Sequence, residues 1–349
     1  DDFTAVTYTE NVAIYNKDDR TVVSVCGAES TIISSASTGH TVTVQDSSNF
    51  VMDGFSITGA TNSGASASGF YINRVDMTTA TFRNSKVYGN YYGVYINDAD
   101  DTPLQLQNLE IYNNSGRGIY AVNADDDFNL IDSNTALAGA GIRINDGAAV
   151  TINGSVIRDN ISSGEGGAIF DNKGSLTVTN TIFADNQGSN GGVIRSSNGP
   201  TINLVNNTFA DNTATNQGGV LYICQPGSHT VRNSIFWGNS AASSGDIAYK
   251  ACSGFATGFM TVTDSDITTS GSSFGNGTPI TSNNIDPAQD PLFVDATNDN
   301  YHIQSGSPVI DQANSTYAPA DDLDGNLRPV DGDGAGGAAD DMGAYEYQP

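Results

Sequence analysis

Between residues 150 and 240 one pattern is written almost four times, and no other feature constrains the fold as strongly. Val150–Asn160 is followed by Gly166-Gly167-Ala168-Ile169. The pattern returns as Leu176–Asn186 with Gly191-Gly192-Val193-Ile194, and as Ile202–Asn212 with Gly218-Gly219-Val220-Leu221. A last copy, Val231–Asn239, closes on Gly245-Asp246-Ile247. The asparagines Asn160, Asn186, Asn212 and Asn239 are spaced 26, 26 and 27 residues apart. A period in the twenties implies a solenoid in which each unit buries its apolar face only against its neighbours.

The pattern inside each unit selects the kind of solenoid. Ile202 and Leu204 alternate with the polar Thr201 and Asn203, which is the period of a strand. The apolar segments are short, rich in Val, Ile, Thr and Phe, and punctuated by Gly and Asn. Three short strands per unit predict an all-β chain. It is a parallel β-helix of about ten coils, each 24–27 residues long, stacked about 4.8 Å apart. In this register Ile157, Phe183, Phe209 and Phe236 point inward.

Asparagine sharpens the register. Asn180, Asn206 and Asn233 each precede the next ladder asparagine by six residues, and Asn84 and Asn108 stand six before Asn90 and Asn114. Asparagine tolerates left-handed backbone angles and bonds its own turn. Stacked coil on coil, its amides form ladders like those of other stacked strands. Asn90, Asn114, Asn160, Asn186, Asn212 and Asn239 are therefore read as one structural ladder.

Charge excludes some partners. Thirteen basic against thirty-nine acidic residues give a net charge of −26, which opposes binding to nucleic acid or to an anionic membrane surface. No apolar run reaches the 18 residues of a membrane span. Sparse lysine and abundant polar turns suit an exported chain whose leader has been removed. Three cysteines make no framework. Cys224 and Cys252 stand 28 apart, close to one coil, and form the candidate disulfide, while Cys26 reads as a small buried apolar residue.

Resemblance to known families begins at Tyr8-Thr-Glu-Asn-Val-Ala-Ile14, followed by an apolar strand, Cys26-Gly27 and Thr31-Ile32-Ile33. This opening resembles pectin-lyase-like right-handed parallel β-helices, which usually carry a cap before it. Here only Asp1–Thr7 precede Tyr8, so the expectation is a cap trimmed away, left out or supplied by something else. Either Asp1–Thr7 fold across the open coil or another chain covers it, and the second case implies head-to-tail self-assembly. The series Asp290-Pro-Leu-Phe293, Asn300-Tyr-His-Ile303, Ser307-Pro-Val-Ile-Asp311, Asp322-Leu-Asp-Gly-Asn-Leu-Arg-Pro329 and Asp341-Met-Gly-Ala-Tyr-Glu346 is similar to the C-terminal part of bacterial choice-of-anchor Q proteins. The resemblance implies an exported or surface-displayed protein of undefined activity. It divides the chain into a β-helix over 1–285 and a C-terminal module over 286–349 packed on the last coils.

Candidate chemistry is of three kinds. Asp159, Asp185 and Asp211 each precede a ladder asparagine and would stack as a carboxylate row, solvated or bridged by Ca2+. Asp322, Asp324, Asn326, Asp331 and Asp333 form oxygen-rich loops that are a second calcium candidate. Alignment on glycine places Tyr71, Tyr95 and Tyr120 at one outward position, continued by Arg143, Ile169, Ile194 and Leu221. Such a row is a flat platform for sugar rings or for another protein. Tyr88, Tyr112 and Trp237, two before their ladder asparagines, suggest a similar row. His40, His229 and His302 read as turn or surface residues, and the acidic stretches 98–101 and 125–127 as solvated turns. No catalytic constellation stands out. The leading expectation is a non-enzymatic surface or matrix protein that adheres to glycans or assembles with its own copies. The alternative is a calcium-dependent polysaccharide lyase or related carbohydrate-active enzyme.

Overall fold

In the computed structural model the described residues are 5–47, 49–65, 67–73, 81–97, 105–122, 130–145, 149–198, 201–224, 227–249, 259–274 and 280–349. One coil of the regular block runs through four strands, not the expected three. They are β1 (Ala149–Asn153), β2 (Val156–Arg158), β3 (Ile161–Glu165) and β4 (Ile169–Asn172). The next coil repeats them at Ser175–Thr179, Ile182–Ala184, Gln187–Asn190 and Ile194–Ser197. Stacked in parallel, coil on coil, they make sheets of six (the β1 sheet), twelve (β2), five (β3) and eleven (β4) strands. The β3 sheet escapes the pattern because Gln187-Gly-Ser-Asn190 and Ser240-Ala-Ala-Ser243 carry no apolar alternation. Their strand geometry comes from pairing with the coils above and below.

The inward residues stack as expected. Ile157, Phe183, Phe209 and Phe236 are at most 2% exposed. The Phe183 and Phe209 rings lie 5.1 Å apart, and Phe209 and Phe236 4.7 Å apart, within the range of favourable aromatic pairs.

Two corners carry left-handed backbone. At the first, between β1 and β2, stand Asn84, Asn108, Asn180, Asn206 and Asn233, with φ between 47° and 53°. At the second, between β2 and β3, stand Asp159, Asp185 and Asp211 with φ of 52° to 55°. There the short polar side chains take the conformation that other residues resist. Each is followed by a buried asparagine. The backbone N–H and the Nδ2 of Asn160 both donate to Oδ1 of Asn186, at 3.2 and 3.0 Å. Asn186 does the same to Asn212, and Asn212 to Asn239. Upstream the chain of amides runs Asn90, Asn114, Asn134, Asn160. Asn134 is a member that the spacing argument passed over.

Residues of the C-terminal module lie against the outer face of the β2 sheet, on its side wall. Tyr301, Ala344 and Leu323 pack with Ile182, Ala184 and Ala210. Ile303, Val309, Ile310 and Met342 pack with Ile235. The first-corner asparagines hold it by hydrogen bonds. Asn180 donates to Asp321 O at 2.7 Å, Asn206 to Asp341 O at 3.0 Å, and Asn233 to Asn314 O at 3.1 Å. Inside the module the fully buried Arg328 pairs with Glu346 at 3.3 Å and donates to the carbonyls of Asp341 and Gly343.

Two residue readings are corrected. Cys26 is free and exposed, because it sits in the turn after Thr21–Val23, an edge strand that is itself exposed. His229 is 1% exposed. Its Nδ1 accepts the N–H of Ile202 at 3.2 Å, its ring meets Tyr249 edge-on, and burial pushes it down to about pKa 4. Cys224 is disulfide-bonded, while Cys252 and the acidic stretches 98–101 and 125–127 lie outside the described residues. Among the described residues no helix is long and apolar enough to cross a membrane.

Candidate glycan-binding face

In the β4 sheet, inward residues such as Val94, Ile119, Ile142, Ile169, Ile194 and Leu221 are fully buried. The residue after each must point outward, since strand side chains alternate. Strand register places Tyr71, Tyr95, Tyr120, Arg143, Phe170, Arg195 and Tyr222 at that single position in seven consecutive coils. The glycine alignment is therefore right for the three tyrosines and Arg143 and one residue short thereafter. In the later coils the glycine pair sits one residue earlier. Gly141 is level with Ala168, so Ile169, Ile194 and Leu221 belong to the core and Phe170, Arg195 and Tyr222 to the face.

Neighbouring members of this row touch. His40 stacks on Tyr71 with centroids 4.1 Å apart and planes 7° from parallel. Tyr71 and Tyr95 meet at 5.2 Å, and Tyr95 and Tyr120 at 4.9 Å. Arg143 lies 4.8 Å over the Phe170 ring and Arg195 4.8 Å over Tyr222, so guanidinium groups continue the platform by cation–π contact. Arg195 is also paired with Glu165 at 3.2 Å. Six coil steps of about 4.8 Å make the stripe about 29 Å long.

Two residues further along the strands runs a row of amides. Asn97 donates to Asn73 at 3.0 Å, and the position continues through Val122, Asn145 and Asn172. With its amide turned to its better orientation, Asn145 accepts from both Arg143 and the Tyr120 hydroxyl. Aromatic faces beside hydrogen-bonding amides give one apolar and one polar track on the same wall. Burial, followed by neighbouring phenols, raises the Tyr95 hydroxyl above its ordinary range, so it is a neutral donor at neutral pH.

The second aromatic set divides. Tyr88 and Tyr112 are in register and stack at 5.1 Å. Following the same position along the β2 sheet leads through Asp132, Arg158, Ala184 and Ala210 to Trp237. The C-terminal module covers the two alanines and Trp237 packs against its cluster, so no continuous platform forms there.

The carboxylates also divide. Asp159, Asp185 and Asp211 follow one another along the second corner, and burial raises all three above the usual carboxylate range. Asp159 and Asp211 add to the rise at Asp185. Tyr301 packs with Ala184 and Ala210, the residues just before Asp185 and Asp211, and Arg158 bridges Asp132 and Asp299. Among the described residues only Asp311, Asp331 and Asp333 bring carboxylate oxygens within 4.8 Å of one another, as a bound cation requires. Asp322 spends its oxygens on protein. One accepts from the N–H groups of Asp324 and Asn326, the other from the Asn326 amide and the Glu346 N–H. Asp324 pairs with His302 at 2.7 Å. Asp311, which brings the third carboxylate, was invisible to spacing because it lies 20 residues before Asp331 in the chain.

Comparison with known proteins agrees with this architecture. The model of the family described as the right-handed β-helix region matches residues 3–160 and 92–274. The crystal structure of pectate lyase Pel9A is similar at a TM-score of 0.55 and 16% sequence identity, covering 99% of this chain and 83% of that one. At that identity the likeness speaks for the fold alone. No curated protein matches the sequence. The stacked parallel coils, the inward phenylalanine column and the family match over most of the chain lead to one assignment: the chain belongs to the right-handed parallel β-helix family.

Proposed function

We propose that this chain is an extracellular, non-enzymatic β-helix that binds polysaccharide along the outer face of the β4 sheet. The observation that carries the reading is the unbroken outward row from Tyr71 to Tyr222, seven coils of aromatic rings and guanidinium groups in one register. An extended polymer lying along the helix axis would set successive sugars against successive coils, with ring faces on the aromatics and hydroxyls on the amide track. The net charge of −26 disfavours a densely anionic polymer, and the two arginines of the row are turned to ring contacts. A neutral or sparsely charged glycan fits best. The resemblance of the C-terminal motifs to exported proteins supports the extracellular setting.

The test is a binding isotherm with a panel of neutral and uronate-containing polysaccharides, run on the full chain and on Tyr95→Ala and Tyr120→Ala. Each truncation is expected to weaken binding about tenfold, which corresponds to about 1.4 kcal/mol. Equal binding by the double variant would remove the stripe from the account. The same mixtures are followed for unsaturated sugar products, whose appearance would replace simple binding with a lyase.

A further inference from the structure

The β3 sheet stops at Ser240–Ser243, and beyond its last strand opens a groove of about 440 Å3. Trp237, Asn239, Ser240, Asp246, Thr268 and Ser270 line it. Two departures from the repeat meet there.

The first is the end of the amide ladder. Every earlier member donates its backbone N–H and its Nδ2 to the Oδ1 of the next asparagine, as Asn212 does to Asn239 at 3.0 and 2.9 Å. Asn239 has no successor. Its Nδ2 donates only to Phe209 O at 2.9 Å, and its backbone N–H has no acceptor among the described residues. Two donors are thus left at the groove, in a half-buried residue, where unmet hydrogen bonds are costly.

The second is Asp246. Strand register makes it the successor of Ala168, Val193 and Val220, all 0% exposed. An apolar core position becomes a carboxyl group at the coil where the groove opens. That carboxyl has no hydrogen-bond partner among the described residues, and burial pushes it up to about 7. A local break in an otherwise consistent pattern, with no internal compensation, is what a site built for a ligand looks like.

We infer that this groove is a binding site for a neutral sugar, held by the free donors of Asn239, the carboxyl of Asp246 and the aromatic surface of Trp237. Sugar hydroxyls both accept and donate, which matches unmet donors beside an unmet carboxyl group. Among the described residues no cationic side chain lines the groove, which disfavours an anion. A single carboxyl is too small an oxygen set for a hard cation. The site is separate from the β4 face and does not depend on it.

Trp237 is the only tryptophan in the chain, so intrinsic tryptophan emission reports on this groove. The full-length protein is titrated with glucose, galactose, mannose, N-acetylglucosamine, cellobiose and lactose. At least one is expected to give a saturable change in emission. Asp246→Val, which restores the residue of the preceding coil and should not lower the melting temperature, is expected to weaken that binding at least tenfold. Ser240→Phe, at an exposed position on the rim, should abolish it, and Tyr95→Ala should leave it unchanged. Silence across the panel, or a loss below threefold in Asp246→Val, would overturn the inference.

Discussion

Asparagine serves two purposes at positions six residues apart, and hydrogen-bond partners tell them apart. Asn186 and Asn212 are 0% exposed and spend every polar atom on the ladder and on carbonyls of the preceding coil, as in the 2.8 Å bond from Asn186 to Ile157 O. Asn180 and Asn206 stand in left-handed turns and turn their amides outward to the C-terminal module. Removing a ladder amide strands buried partners, at about 1–3 kcal/mol for each group left unmet. Removing an inward ring also opens a void. Phe209→Ala is therefore expected to cost about 3–5 kcal/mol, read from chemical denaturation. A loss below about 1 kcal/mol would contradict its place in the stacked column.

At the scale of elements, the β2 wall is where two parts of the chain meet. Leu323, Tyr301 and Ala344 cover Ala184 and Ala210, and the first-corner asparagines fix the contact at three successive coils. Asn206→Ala would leave the carbonyls of Asp341 and Gly343 with one donor fewer. The expected outcome is faster limited proteolysis within 286–349, with the β-sheet circular dichroism signal of the helix retained. Cleavage at the wild-type rate would mean that apolar packing alone holds the module. The proposed glycan-binding face is a property of the same scale. No one of its residues is unusual, since tyrosine and phenylalanine favour strands anyway, and the platform exists only because register repeats the position.

For the molecule as a whole, buried acids set the response to pH. Burial raises Asp246, Asp266 and Asp341 to about 7 and Asp171 to about 6, from an ordinary 3.8. The folded chain thus holds protons that the unfolded chain releases. That contribution is fully present below about pH 4 and is lost as pH rises through 6 to 7. His229 acts in the opposite sense. Its pKa falls from 6.5 to about 4, so its share of stability is present above pH 6.5 and is lost as pH falls towards 4. Four acids outweigh one histidine, and a net charge of −26 adds self-repulsion at higher pH. The melting temperature is expected to be higher at pH 5.5 than at pH 8, and the reverse order in a thermal scan would contradict these burials.

The sequence alone determined the fold class, the inward phenylalanine column and most of the amide ladder. Each depends on stereochemistry that is local and repeats: a two-residue alternation, left-handed corners that asparagine and aspartate accept, and one coil length in the regular block. It also reached Tyr71, Tyr95 and Tyr120, because three similar coils share one glycine offset. Further features lay beyond it because they depend on what stacks beside what. A one-residue change in that offset moved the face onto Phe170, Arg195 and Tyr222. Pairing with neighbouring coils made strands of polar segments with no pattern of their own. Lateral packing of the C-terminal module decided that Ala184 and Ala210 are interior and that Trp237 continues no open row from Tyr88 and Tyr112. It also placed Asp311 beside Asp331 and Asp333. Asp246 reads in the sequence as one acid among thirty-nine. Only stacking on Val220, at the coil where the β3 sheet ends, makes it a half-buried carboxyl group facing a groove.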